Sequence, residues 1–443
     1  MVQVMPISLF LMILMSLACG IEVTESANPS GLTPTETVFA CGGVLLALTL
    51  LIHSLGVMAK SSVTQNRMSV EDAGVLLARR LEKCHWLAVG IVVLCLEGLG
   101  LSSVLVSPPW IANSLAMKSL ALLFPGMSLF LFSVLTNEKF SIAGERERVS
   151  RTGMLRLVLP KLSFISAISI LPIVLLLGLI DVVQMLPIEP TYRSAAAALI
   201  VILFIVSALP WLVSQSIGHS TLSGSKKTWI DELTERVGLG NTPVKIWRTN
   251  HRNMNAMAIG FISPFRTLFL SDQLVAELPP KQLAMVLLHE ASHLKRQHLP
   301  IRLLCTIPIW VTAAAFSPWL EQHQGIASLT TVICMVLTLI VLRWVAHQTE
   351  YDADAEACRL AVCVSRELDG VPQTLSESSR ELSRALLKVS RQRSIARKST
   401  WMHPSVLTRI QNMRSHPHPE AQERGLVAEA ATRMQAELTS AAC

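Results

Sequence analysis

A mainly α-helical, polytopic membrane fold of seven to eight spans, carrying a cytoplasmic α+β domain that a two-span hairpin interrupts, is predicted by three observations. The chain of 443 residues is 51% hydrophobic with a mean hydropathy of +0.48, beyond what a soluble protein of this length carries. Apolar runs long enough to cross ~30 Å of hydrocarbon as a helix recur along it. Lys and Arg are distributed unevenly among the loops between those runs.

The runs cover 38–58, 86–106, 110–135, 163–186, 194–215, 299–319 and 325–346. An eighth, 6–19, is shorter and is either an anchor or a secretory signal; the absence of Lys or Arg before it weakens the signal reading. Five Lys/Arg lie in 60–83 and six in 136–162, whereas 21–36, 107–109 and 320–324 carry none and 187–193 carries one. By the positive-inside rule this places 60–83, 136–162, 216–298 and the C-terminal region in the cytoplasm. The expected organisation is therefore an N-terminal membrane domain over 1–215, a first cytoplasmic part over 216–298, a hairpin over 299–346 and a second cytoplasmic part with a tail over 347–443.

The net charge of +7 and pI of about 9.0 are consistent with a basic cytoplasmic face. With 5% aromatic residues and no recognised binding motif, nucleic acid is excluded as a partner. The nine cysteines are scattered, many of them inside apolar runs, and form no CxxC pair, so they read as reduced, mostly buried small hydrophobes. Glu97, Lys118, Asp181 and Arg343 lie in or near spans, where internal pairing or snorkelling is the expected arrangement rather than a transport path.

From Lys227 the pattern becomes globular. KTWIDELTERV is an amphipathic helix closed by Gly238, and three β-prone pieces follow at 244–248, 255–260 and 266–271. Pro279-Pro280 marks a helix start, and KQLAMVLLHEASHLKRQ continues to 297 without a breaker. After the last span 347–363 is helical. Farther on, Lys388, Arg391, Arg393, Arg397 and Lys398 form either a solvated helix face or a patch against anionic lipid.

HEASH at 289–293 carries the chemistry. On a helix, His289 and His293 project from one face a turn apart, so both imidazoles reach one metal ion. Glu290 is turned about 100° around the helix, close enough to polarise a water held by the metal without ligating it. With twelve histidines in the chain, an H-E-x-x-H match arises by chance in only about one or two such sequences in a hundred. A catalytic zinc needs one more protein ligand. The segment TEYDADAEA (349–357) supplies candidates: Glu350 first, Asp352 competing, and Asp354 one turn beyond Glu350 on the same face, placed to hold a ligand imidazole.

HEASH followed after two spans by EYDAD resembles the family of membrane zinc endopeptidases that includes the bacterial heat-shock protease HtpX and the eukaryotic CAAX prenyl endopeptidases. VGLGNTPVKIW, NAMAIG, LFLSDQLVAEL and WMHPSVLTRI match in order, covering about 226–412. The resemblance implies a zincin-like metallopeptidase domain with one Zn2+ held by His289, His293 and Glu350, with Glu290 as general base and Asp354 behind the ligands. It assigns Asn255, Ala256 and Ala258 to substrate backbone, and His403 to the carbonyl oxygen under attack. Met257 stands where the family often has an aromatic residue, and Ile259 where it often has Thr or Ser. His416 and His418, an HxH in a Pro-rich tail, read as loop residues in preference to a weak metal site.

The expected activity is cytoplasmic hydrolysis of membrane proteins or membrane-associated peptides, in a bacterial inner membrane. A receptor of the antibiotic-sensor kind also joins spans to a cytoplasmic HExxH site, but every outside loop here is short. A non-catalytic membrane scaffold is disfavoured by the intact His289, Glu290, His293 and Glu350.

Overall fold

The computed structural model describes residues 7–19, 31–144, 169–249, 254–321, 324–391 and 399–415. Part of the 163–186 run, the basic residues Arg393, Arg397 and Lys398, and His416 and His418 lie outside them. The chain divides into two compact units, one within 3–218 and one from 219 onward.

The first unit is helical: α1 (Ile7–Ala18), α2 (Pro34–Thr64), α3 (Val70–Val93), the short α4 (Leu101–Val106) and α5 (Pro109–Ala112), α6 (Leu115–Gly144), α7 (Leu171–Met185), α8 (Pro190–Leu203) and α9 (Leu209–Ser216). Local sequence sets the starts. Thr33 and Glu36 form a reciprocal capping box around Pro34 at the head of α2, and Ser69 caps α3. A π-helical turn, Leu94–Gly98, and the left-handed Gly100 divide the expected 86–106 span, and a second π turn, Phe204–Ala208, joins α8 to α9. Helix α1 packs on α6 so closely that a Cβ on Gly126 would stand 2.7 Å from Met12 Cγ. Asp181 of α7 caps a different helix: its carboxylate accepts from Ser114 Oγ (2.7 Å), Leu115 N (2.8 Å) and Ala116 N (3.0 Å) at the head of α6. An acid inside an apolar run thus satisfies N–H groups that lipid cannot.

The second unit holds a four-stranded sheet of β1 (His219–Ser220), β2 (Val244–Trp247), β3 (Ala256–Ile259) and β4 (Thr267–Ser271), in the order β1-β2-β4-β3. Only the β2–β4 pair is parallel. β1 is an addition to the three strands read from sequence, because two residues are too few to show a period. Every residue of β4 is buried, which leaves β3 as an edge. Left-handed Gly260 ends β3 with its α-carbon pressed on the Phe265 carbonyl, where a Cβ would lie 2.2 Å from the oxygen.

Helices α10 (Ser225–Arg236), α11 (Asp272–Glu277), α12 (Pro280–Lys295), α13 (His298–Leu304), α14 (Ile307–Glu321), α15 (Gln324–Val364), α16 (Leu375–Arg391) and α17 (Val406–Ser415) complete the unit. The expected last span and the helical segment after it are one continuous helix, α15. Its Ala353, Ala357 and Ala361, one turn apart and fully buried, allow close packing on α12, whose Ala284, Leu288 and Ala291 are equally buried. The run from 281 forms one helix that ends at Lys295, two residues short of the expected 297. Gln297 takes φ 52°, and α13 begins afresh at His298.

Among the described residues five helices are long and apolar enough to cross a membrane: Pro34–Thr64, Leu115–Ser141, Tyr192–Ser216, His298–Phe316 and Ile333–Val364. The protein is a multi-pass membrane protein.

Candidate active site

Helix α12 presents His289 and His293 on one face, and α15, packed against it, delivers Glu350 to the same point. The two Nε2 atoms are 3.3 Å apart; His289 Nε2 is 3.7 Å from Glu350 Oε2, and His293 Nε2 is 3.4 Å from Glu350 Oε1. A tetrahedral ion with bonds of about 2.0–2.1 Å sets its ligand atoms about 3.3 Å apart, so the triangle has the dimensions of three corners of such a tetrahedron. Among the described residues this is the one grouping of three such side chains able to hold a metal.

The surroundings fit an ion. Buried Glu350 Oε2 has no aligned hydrogen bond, although Arg409 Nη1 lies 3.2 Å away. His403 Nδ1, 3.0 Å from Glu350 Oε1, is likewise buried without one. Unsatisfied buried acceptors are uncommon, and a cation within the triangle would give the carboxylate its missing partner. Asp354 Oδ1 sits 3.0 Å from His289 Nδ1, which turns that ring's Nε2 toward the triangle. Burial and the Arg409 cation push the His289 imidazole down, but Asp354 and Glu350 outweigh both and hold it up at about 9.

Glu290 leaves the triangle and points to the sheet, where its Oε2 accepts the Ala258 N–H at 3.1 Å. Burial pushes its carboxyl above the usual carboxylate range. His403 is anchored by its own N–H to Thr400 Oγ1 (3.0 Å), and burial lowers its ring to about 3, which keeps it neutral.

Along antiparallel β3 the main-chain groups alternate in direction. Asn255 spends its N–H on Ser271 Oγ (2.9 Å) and its carbonyl on Ser271 N (2.8 Å), so Asn255, Met257 and Ile259 face β4 while Ala256 and Ala258 face outward. The Asn255 amide is buried with both Oδ1 and Nδ2 unpartnered.

His289, Glu290, His293, Glu350, Asp354 and His403 thus come together in one place. Asp352 does not join them: it takes a two-point contact from Arg296 (3.1 and 3.0 Å) and lies 2.9 Å from His298 Nε2. Sequence reading missed Arg409, whose Nε donates to Asp354 Oδ2 at 2.8 Å, and Arg302, whose Nη2 donates to Glu350 Oε1 at 3.2 Å. The available signal was charge balance. Three acids on EYDAD need cations, and Arg409 lies six residues past His403 while Arg302 opens an apolar run.

Such a site, with its histidine pair and carboxylate in one buried cluster beside an edge strand, defines a class, the metallopeptidases. Residues 224–417 match the model of peptidase family M48. The matched stretch, less than half of the chain, holds every residue of the cluster and supports a membrane metallopeptidase. Of solved structures, that of S. mikatae Ste24p is similar at 14% identity and a TM-score of 0.48, over 86% of this chain and 99% of that one. No match was found among curated proteins.

Proposed function

We propose that the chain is a zinc-dependent endopeptidase, one Zn2+ per chain, acting on the cytoplasmic side of the membrane on membrane proteins or membrane-associated peptides. The observation that carries this is the placement of Glu290 between the His289–His293–Glu350 triangle and the outward edge of β3. Two imidazoles and one carboxylate are a donor set suited to catalytic zinc. When bound, the metal supplies Lewis acidity, lowering the pKa of water and polarising a carbonyl.

The chain's residues do the rest. An extended peptide pairs with the Ala256 and Ala258 main chain, while Asn255 contributes its side-chain amide. Glu290, deprotonated and freed from Ala258, accepts the proton of the attacking water and passes it to the leaving amine. Neutral His403 donates a hydrogen bond to the carbonyl oxygen as charge develops there. Asp354 and Arg409 fix the His289 ring.

The cytoplasmic orientation is supported by the loop charges, and a bacterial inner membrane is the setting we infer. The division into a membrane domain over 1–215 and a peptidase domain split by the 299–346 hairpin belongs to the same reading. Comparative proteomics of membranes holding wild type or Glu290→Gln tests it: membrane-associated polypeptides should accumulate with the variant alone. Identical proteomes in both membranes would count against the proposal.

A further inference from the structure

Gln297, at the head of α13, is left-handed. A non-glycine residue at φ 52° carries strain that the surrounding structure must hold. What the turn achieves is local. It folds the chain back so that the His298 ring stands edge-on to His293, centroids 4.9 Å apart at 77°, with the two Nδ1 atoms 2.9 Å apart. His298 is almost wholly buried, and its Nε2 lies 2.9 Å from Asp352 Oδ2, a carboxylate fixed in turn by Arg296.

Proton positions follow from donor counting. His293 turns Nε2 to the triangle, so Nε2 must be the lone-pair nitrogen and Nδ1 carries the hydrogen. That N–H donates to His298 Nδ1. The His298 hydrogen then sits on Nε2 and is donated to Asp352. The other imidazole is simpler, since His289 Nδ1 meets Asp354 directly.

We infer that His298 and Asp352 are positioning residues for the metal: a relay Asp352–His298–His293 fixes the tautomer and orientation of His293, as Asp354 does for His289. This rests on the reading of His289, His293 and Glu350 as metal ligands. It gives two of the three acids of EYDAD the same task on different histidines, and it gives the strained turn at Gln297 a purpose.

The test measures metal affinity on the full-length protein in detergent, by zinc competition against a chromogenic chelator, alongside the melting temperature of the metal-free form. His298→Leu should weaken zinc binding by about 10–100-fold, the usual effect of removing a partner behind a ligand, and Asp352→Asn, which loses the carboxylate charge but keeps one acceptor oxygen, by less. His298→Gln, which keeps an acceptor for the His293 N–H, should recover most of that loss. The metal-free melting temperatures should stay close to wild type for Asp352→Asn and His298→Gln. Wild-type affinity in His298→Leu and Asp352→Asn overturns the relay while leaving the metal site intact. Equal loss in His298→Leu and His298→Gln, tracking a fall in metal-free stability, also overturns it and assigns His298 to packing. A wild type that binds no zinc overturns the ligand reading itself.

Discussion

The main-chain N–H of Ala258 donates to Glu290 Oε2 at 3.1 Å, which ties an outward-facing group of the edge strand to the acid beside the metal triangle. In the proposed mechanism a peptide that adds to β3 competes with Glu290 for that N–H, so that binding and freeing the acid are one event. Bulk at this position should therefore interfere. Ala258→Trp is expected to lower kcat/KM by tenfold or more at unchanged zinc content, and Asn255→Ala to cost about 1–3 kcal/mol of transition-state binding, the scale of one lost hydrogen bond at a dry site. Full activity of Ala258→Trp on a membrane-protein substrate would make the strand a packing element only.

Arg409 is buried between two carboxylates, 3.2 Å from Glu350 and 2.8 Å from Asp354. Removing one partner of a buried ion network leaves charge uncompensated, at a cost of about 3–5 kcal/mol. Arg409→Met should therefore lower the melting temperature of the metal-free protein by several degrees. Because zinc offsets some of the exposed negative charge, the deficit should narrow when the metal is added. An unchanged melting temperature would show that the network contributes little to folding.

What could be read in advance divides along physical lines. HEASH is legible because i and i+4 is a local relation, fixed by helix geometry alone. Glu350 was legible as the leading member of an acidic triplet, with Asp352 still competing; only the packing of α15 on α12 separates them, sending Glu350 to the histidines and Asp352 to Arg296 and His298. Arg409 and Arg302 reach partners some fifty residues distant. No local pattern encodes such pairs. The turn at Gln297 was missed for a related reason: the stretch KRQH has neither Gly nor Pro to announce it, and tertiary contacts of His298 hold it there. In the first unit, the apolar runs showed where helices lie but not that Asp181 would cap a neighbouring one.

That cap provides a separate test. Asp181→Ala strips three hydrogen bonds from Ser114, Leu115 and Ala116 in an apolar setting. It should destabilise the protein by at least the ~0.5–2 kcal/mol of an ordinary lost cap. Asp181→Asn, which keeps one acceptor oxygen, should be milder. Equal melting temperatures for wild type and Asp181→Ala would remove the carboxylate from the fold's supports.

Orientation is open to labelling in intact cells. After replacement of the nine native cysteines, a cysteine at Ser150 should be protected from an impermeant thiol reagent, and one at Glu189 should react. The reverse pattern would put the active site on the outer face.

The central claim is that Glu290 does chemistry at a metal it does not hold. Zinc content and peptide hydrolysis, measured together on purified wild type, Glu290→Gln and Glu350→Ala, test it most directly. The account predicts about one zinc per chain and turnover in wild type, zinc without turnover in Glu290→Gln, and neither in Glu350→Ala. Turnover persisting in Glu290→Gln, or full zinc occupancy in Glu350→Ala, would contradict it.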